Sequence, residues 1–237
     1  KEKKMAFSSL RSLLGAGSSG GSSGGDRAVF GGGTTGSSAY SNVIDYVTVS
    51  STGNATDFGD LTVARFYLAA SSNGSTDRGI WGGGSTGSKS DVIDYVTISS
   101  PGNATDFGNL TSARNGLGGT SSGTGDRGVF AGGTTNGDPG SNIIDYVTIS
   151  SAGNATDFGD LTASRYFGPG GTSNGSTGRG IFGGGYTGSA ETVIDYITIG
   201  STGNATDFGD LTVARYYIAG TSSGTGDRGM WGGGMDA

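Results

Sequence analysis

Residues Ile93–Arg114 read IDYVTISSPGNATDFGNLTSAR, and the chain repeats nearly the same phrase at Ile44–Arg65, Ile144–Arg165 and Ile194–Arg215. The aspartates of the four IDY triplets are Asp45, Asp94, Asp145 and Asp195. Their spacing stays near 50 residues, a period that belongs to stacked units rather than to one continuous core. Outward from this phrase, Arg27, Arg78, Arg127, Arg179 and Arg228 each open an apolar, Gly-rich run: AVFGGG, GIWGGG, GVFAGG, GIFGGG and GMWGGG. A second arginine series is Arg11, Arg65, Arg114, Arg165 and Arg215. A unit of this size cannot cover its own apolar surface, so its neighbours must do so.

Each unit divides into four short β-like runs parted by turn residues. In the second unit these are Phe66–Ala70, Arg78–Trp81, Val92–Ser99 and Ala104–Thr111. No stretch has helical periodicity over a helical length, so the expectation is an all-β chain. The third run decides the architecture. In Val43–Val49 one face carries Val43, Asp45, Val47 and Val49, and the other carries Ile44, Tyr46 and Thr48. Two largely apolar faces suit a strand packed on both sides, whereas a two-sheet sandwich exposes one face of each sheet. The fourth run holds Asp57, Gly59 and Asp60, as expected of an outer edge that discourages pairing with other chains. The first run is small and Gly/Ala-rich, as expected near a crowded axis. Radial four-stranded blades satisfy all three features.

Composition narrows the function. The chain has 237 residues with 52 glycines, a net charge of −6, no His and no Cys. Without a basic stripe, nucleic acid is not an expected partner. Lys1, Lys3 and Lys4 read as a solvated end. No apolar run approaches spanning length, so membrane insertion is not expected. The opening KEKKMAFSSLRSLLGAGSS lacks the long apolar segment of a secretory signal. The lack of imidazole and thiol removes the commonest general base and the usual soft metal ligands.

The units resemble kelch-type β-propeller repeats. That resemblance rests on Gly82–Gly84 after the second run, Asp94 with Tyr95 in the third, and Phe107, Leu110 and Arg114 after it, with equivalents in every unit. It spans about residues 5–234 and departs from the family in using Phe where Trp is common. The wording GNATDFGDLTVAR with RGVFGGG is similar to repetitive virion proteins of marine, especially cyanobacterial, tailed phages. The resemblance implies a propeller over residues 11–237. Residues 1–10 are then a separate segment. Phe7 and Leu10 share the spacing of Phe58 and Leu61, so Met5–Arg11 is expected to join the strands of 216–234 and close a short fifth blade. The alternative is four blades with a tail.

The ring of Asp45, Asp94, Asp145 and Asp195 could hold a metal, but pairing of each inside its own blade is the simpler expectation. The structural arginines Arg65, Arg114, Arg165 and Arg215 belong to the same framework. Asp precedes Arg27, Arg78, Arg127 and Arg228, yet Gly178 precedes Arg179, and Asp60 becomes Asn109. Such changes argue against a shared metal ring. Ser75–Trp81, STDRGIW, resembles the sialidase Asp-box with one residue missing, and that box is a structural hairpin. Glycoside cleavage needs a placed carboxylate pair, and the only Glu residues are Glu2 and Glu191. The Gly-rich turns lack the Gly-Lys-Ser/Thr of a phosphate loop. Asn54, Asn103, Asn154 and Asn204, with Asn73, Asn109 and Asn174, match glycosylation sequons, but a turn copied with the repeat explains them.

The loops after the second run vary most, and constant scaffold with variable loop is how a rigid fold presents a binding surface. Tyr40, Lys89, Asp138, Pro139, Tyr186 and Glu191 stand out there. The expectation is a non-enzymatic virion protein, without cofactor or metal. It would decorate or tip a phage particle, with other virion proteins, itself or surface glycan as partners. A secreted lectin or adhesion propeller is the alternative, and a glycan hydrolase ranks last.

Overall fold

A computed structural model describes residues 26–35, 39–73, 76–122, 126–136, 140–173, 178–222 and 228–236. Every element among them is a strand, and none is a helix. Four sheets stand around an axis in the manner of a β-propeller. Blade 1 shows three strands, Arg27–Gly31, Val43–Thr48 and Thr56–Asp60. Blade 2 comprises Ala69–Asn73, Arg78–Gly82, Val92–Thr97 and Thr105–Asn109. Blade 3 comprises Gly118–Ser121, Arg127–Ala131, Ser141–Thr148 and Thr156–Arg165. Blade 4 comprises Gly170–Ser173, Arg179–Gly183, Val193–Thr198 and Thr206–Asp210. A two-stranded sheet, Ala219–Ser222 with Gly229–Gly232, begins a fifth. All pairings are antiparallel and follow chain order within each blade. The expected pairing of Met5–Arg11 with the last strands falls on residues outside those described.

The first strands line the axis and crowd there. A Cβ on Gly119 would lie 2.3 Å from the Ala70 carbonyl oxygen, and one on Gly171 would lie 2.2 Å from that of Gly119. Only glycine permits this approach. The Ser71 hydroxyl donates to Thr120 O at 2.8 Å, tying neighbouring inner strands. At one end of the axis Tyr67, before blade 2, stacks on Tyr217, beyond blade 4, at 5.5 Å.

Apolar side chains fill the seams between blades, as a third strand with two apolar faces requires. Val29, Ile44, Phe58 and Leu61 of blade 1 pack on Leu68, Trp81, Val96 and Ile98 of blade 2. The next two seams repeat the arrangement. Each such side chain, fully buried, contributes about 1.5–3 kcal/mol.

One expectation is corrected. The first strand of blade 2 runs Ala69–Asn73, not Phe66–Ala70. Phe66 forms only an isolated bridge to Ser85, and Tyr67 sits at φ 56, a left-handed corner that no strand can pass through.

Candidate functional site: the seams and the aromatic end of the axis

The repeated charged residues form the seams. Arg65, Arg114, Asp94, Asp145, Arg165 and Asp195 are all fully buried. Arg65 Nη2 meets Asp94 Oδ2 at 2.5 Å, Arg114 meets Asp145 at 2.5 Å, and Arg165 meets Asp195 in the same way. Each arginine leaves one blade and each aspartate lies on the third strand of the next. The aspartates therefore pair across the seam, not inside their own blade as the sequence suggested. Alternation along the third strand puts each aspartate on the same face as the apolar residues two and four positions on, as Asp145 with Val147 and Ile149, and so into the seam with the preceding blade. Thr62 Oγ1 donates to Asp94 and Thr111 Oγ1 to Asp145, both at 2.5 Å. Arg65 Nη1 also donates to Gly83 O and Val92 O, at 2.7 and 2.6 Å. Burial pulls the guanidinium of Arg65 below its ordinary value and the Asp94 charge opposes it; Arg114 and Arg165 behave alike.

The other repeated polar residues are also occupied. Arg27 donates to Ile98 O, Arg78 to Ile149 O and Arg127 to Ile199 O, each at 2.9 Å and each to the next blade. The same guanidinium groups lie 4.4–4.8 Å over Tyr46, Tyr95 and Tyr146. Asp26 accepts from Ser50 N at 2.9 Å, Asp77 from Ser99 N at 3.1 Å, and Asp126 from Ser150 N at 2.9 Å. In blade 4, Gly178 and Gly200 replace both members of that pair. The sequon residues Asn103, Asn154 and Asn204 accept, at 3.1 Å, from the backbone N–H of Asp60, Asn109 and Asp160 in the preceding blade. Among the described residues no group of three or more His, Cys, Asp or Glu side chains is placed to hold a metal ion.

The variable-loop residues gather unevenly. Tyr40, 39% exposed, stacks on Phe66 at 4.8 Å. Tyr186 packs against Tyr166 at 5.3 Å, Phe167 at 5.8 Å and Tyr216 at 5.1 Å. Lys89 turns to the next loop and donates to Thr135 O. Glu191 accepts from Thr187 within its own loop. Asp138 and Pro139 lie outside the described residues. Tyr40 and Tyr186 thus reach a common feature, whereas Lys89 and Glu191 serve their loops.

That feature is an aromatic cluster on the links entering the blades. It comprises Phe66–Tyr67, Tyr166–Phe167 and Tyr216–Tyr217, with Asn115–Gly116 at the same place before blade 3. Tyr67, Phe167 and Tyr217 adopt φ of 56, 59 and 55, and Gly116 adopts 66. A left-handed conformation costs an ordinary residue about 1–2 kcal/mol. Backbone bonds hold it: Gly116 N to Tyr67 O, Gly168 N to Gly116 O and Tyr217 N to Phe167 O, all at 2.8 Å. Phe167 and Tyr217 rings approach to 4.9 Å, which with the Tyr67–Tyr217 stack places rings from three links over the axis. All three are half-buried, so their remaining faces meet solvent. Burial first, then a hydrogen bond with Tyr67, raises the Tyr217 phenol well above its ordinary value. Sequence reasoning missed these residues, although the dipeptides FY, YF and YY directly after the seam arginines were the signal. Strong β-propensity made them look like strand starts.

Compared with models of known protein families and with curated proteins, the chain matches none.

Proposed function

We propose that the chain is a non-enzymatic binding propeller, kelch-like in its repeats, that forms a decorating or tipping component of a tailed-phage particle and engages surface carbohydrate through the aromatic end of its axis. The observation that carries this reading is the set of Tyr67, Phe167 and Tyr217 on left-handed backbone where glycine alone would be unstrained. Strain of about 1–3 kcal/mol per residue collects where function requires it. Half-exposed rings offer flat apolar faces with polar edges, which suit the alternating apolar and hydroxylated surface of a sugar. The repeated ionisable residues support the same reading, because those at the seams are consumed by the scaffold and leave little for acid–base chemistry. Contacts of this kind are weak singly, and a particle carrying many copies raises the effective concentration.

Two measurements test it. A glycan array probed with the protein should show binding that Tyr67→Gly and Phe167→Gly each weaken at least tenfold, without loss of fold, since Gly116 shows that the position accepts glycine. A silent array, or binding indifferent to both substitutions, refutes the carbohydrate reading. Mass spectrometry of purified phage particles should detect these peptides, and their absence from particles refutes the virion role.

A further inference from the structure

The three rings at the aromatic end of the axis form an arc that is open on one side. Tyr67 and Phe167 each meet Tyr217, at 5.5 and 4.9 Å. The link between Tyr67 and Phe167 in chain order is that of blade 3, and its corner residue is Gly116. The φ of 66 at Gly116 resembles the 56, 59 and 55 of the three aromatic corners. Its N–H donates to Tyr67 O and its carbonyl accepts from Gly168 N, both at 2.8 Å, so the backbone runs on through this corner as through the others. The three atoms nearest to a Cβ on Gly116 are backbone atoms of Phe167 and Gly168, at 3.2, 3.5 and 3.8 Å. This corner thus carries no ring of its own.

The residue before the open corner is polar as well. A backbone bridge fastens each link to the loop beside it, joining Phe66 to Ser85, Tyr166 to Tyr186 and Tyr216 to Met235. In blade 3 the same pairing joins Asn115 to Thr134. In the three aromatic links the first side chain lies against the second: Phe66 on Tyr67 at 4.5 Å, Tyr166 on Phe167 at 4.4 Å and Tyr216 on Tyr217 at 5.2 Å. The side chain at the equivalent position, Asn115, therefore borders the open corner. Asn115 is half-buried, and its carboxamide has no hydrogen-bond partner among the described residues.

Resting on the carbohydrate reading above, we propose that Asn115 is the specificity-determining residue of that site, and that it selects a neutral pyranose with two adjacent free hydroxyls, seated in the corner over Gly116. A carboxamide offers an acceptor oxygen and an N–H donor side by side. Adjacent sugar hydroxyls meet both at once, one donating to Oδ1 and the other accepting from Nδ2. An acetamido group holds its N–H and C=O on opposite sides and engages only one of the two atoms. A carboxylate only accepts, and leaves Oδ1 without a donor. Lys89 reaches this loop from blade 2 but turns its ammonium to Thr135 O. The rings of Tyr67 and Phe167, on either side of the corner, take the apolar face of the sugar. Once the sugar covers Asn115, an unmet amide atom costs more than a met one gains, so the wrong sugar is rejected.

The probes are surface-coated polymers titrated with the whole chain by biolayer interferometry. Dextran, mannan and pectic galactan carry adjacent free hydroxyls on neutral rings; the internal units of curdlan carry none; chitin supplies the acetamido arm and polygalacturonate the acidic arm. The expected result is tightest binding to one of the first three, with curdlan and chitin at least tenfold weaker. Asn115→Leu should weaken that binding at least tenfold and bring its preference over curdlan close to unity, a change of selectivity that a merely structural role would not produce. The variant should melt like the parent, since Phe66, Tyr166 and Tyr216 occupy the equivalent positions. Gly116→Tyr, whose backbone conformation the three aromatic corners already adopt, should fill the corner and weaken binding as much. Tightest binding to chitin or polygalacturonate overturns the proposal. So does a preference unchanged by Asn115→Leu while Tyr67→Gly still weakens binding, an outcome that leaves the carbohydrate site itself standing. Silence on every polymer overturns the carbohydrate reading and this assignment together.

Discussion

Replacement of Arg114 by methionine tests the seams most directly. Arg114 is fully buried and uses Nη2 on Asp145 at 2.5 Å and Nη1 on Gly132 O and Ile143 O at 2.8 and 2.7 Å. Methionine fills most of the volume but donates nothing. The Asp145 carboxylate, also fully buried, then keeps only the Thr111 hydroxyl and amide. Removing one partner of a buried pair costs about 3–5 kcal/mol, because the other charge remains desolvated. For a chain of this size that corresponds to a fall in Tm of about 6–20 °C. The double variant Arg114→Met/Asp145→Leu removes both charges and should regain most of the loss. Arg215→Met is the internal control, since Arg215 meets no aspartate among the described residues, and it should stay within about 1 kcal/mol of the parent. Guanidinium titration followed by Trp fluorescence, with calorimetry beside it, reads all three. The reasoning fails if Arg114→Met changes stability by less than about 1 kcal/mol, or if Arg215→Met costs as much.

Three further outcomes follow from named contacts. Gly108→Ala places a Cβ 2.5 Å from Gly153 O, whereas Gly209→Ala meets nothing, and both share φ near 140. Overpacking should therefore make Gly108→Ala less stable than Gly209→Ala by about 1–3 kcal/mol in denaturant titrations, and equal losses would contradict the seam contact. Asp126→Gly and Ser150→Gly recreate what blade 4 already has at Gly178 and Gly200; a double-mutant cycle should give a coupling of about 0.5–1 kcal/mol, and strict additivity would show that the pair does not act together. Tyr217 holds its proton beyond the ordinary tyrosine range of 10.0 in the folded chain, whereas the unfolded chain releases it near that value. The unfolded state thus binds fewer protons above about pH 10, and stability should fall as pH rises from there. Tyr217→Phe should flatten that decline, and an unchanged slope would remove Tyr217 as its cause.

Much of the architecture was legible because its cause is local. The two apolar faces of VIDYVTIS need cover on both sides, and the near-50-residue period says that equivalent units provide it. The pairing of Arg65 with Asp94 was not legible, although both series stood out, because alternation puts Asp94 on one face with Val96 and Ile98 without saying which neighbouring blade that face meets. Asp26, Asp77 and Asp126 looked variable because Gly178 breaks their series. Their partners Ser50, Ser99 and Ser150 lie more than twenty residues away, and only folding shows that Gly200 changes with Gly178. The aromatic end of the axis was misread for the opposite reason. Tyr67, Phe167 and Tyr217 contradict their own backbone preference, and such local contradictions mark sites shaped by something other than folding.

The uniformity of the seams bears on how the gene can change. Each of the three joints from Arg65 to Asp195 takes its arginine from one unit and its aspartate from the next. Excising one whole repeat, cut at equivalent positions, therefore rejoins a donor and an acceptor of the same kind. Excising half a repeat orphans a guanidinium on one side and a carboxylate on the other. Recombination between the near-identical phrases is thus steered toward whole-blade steps, and the length of such a protein is expected to vary among isolates in multiples of a single repeat.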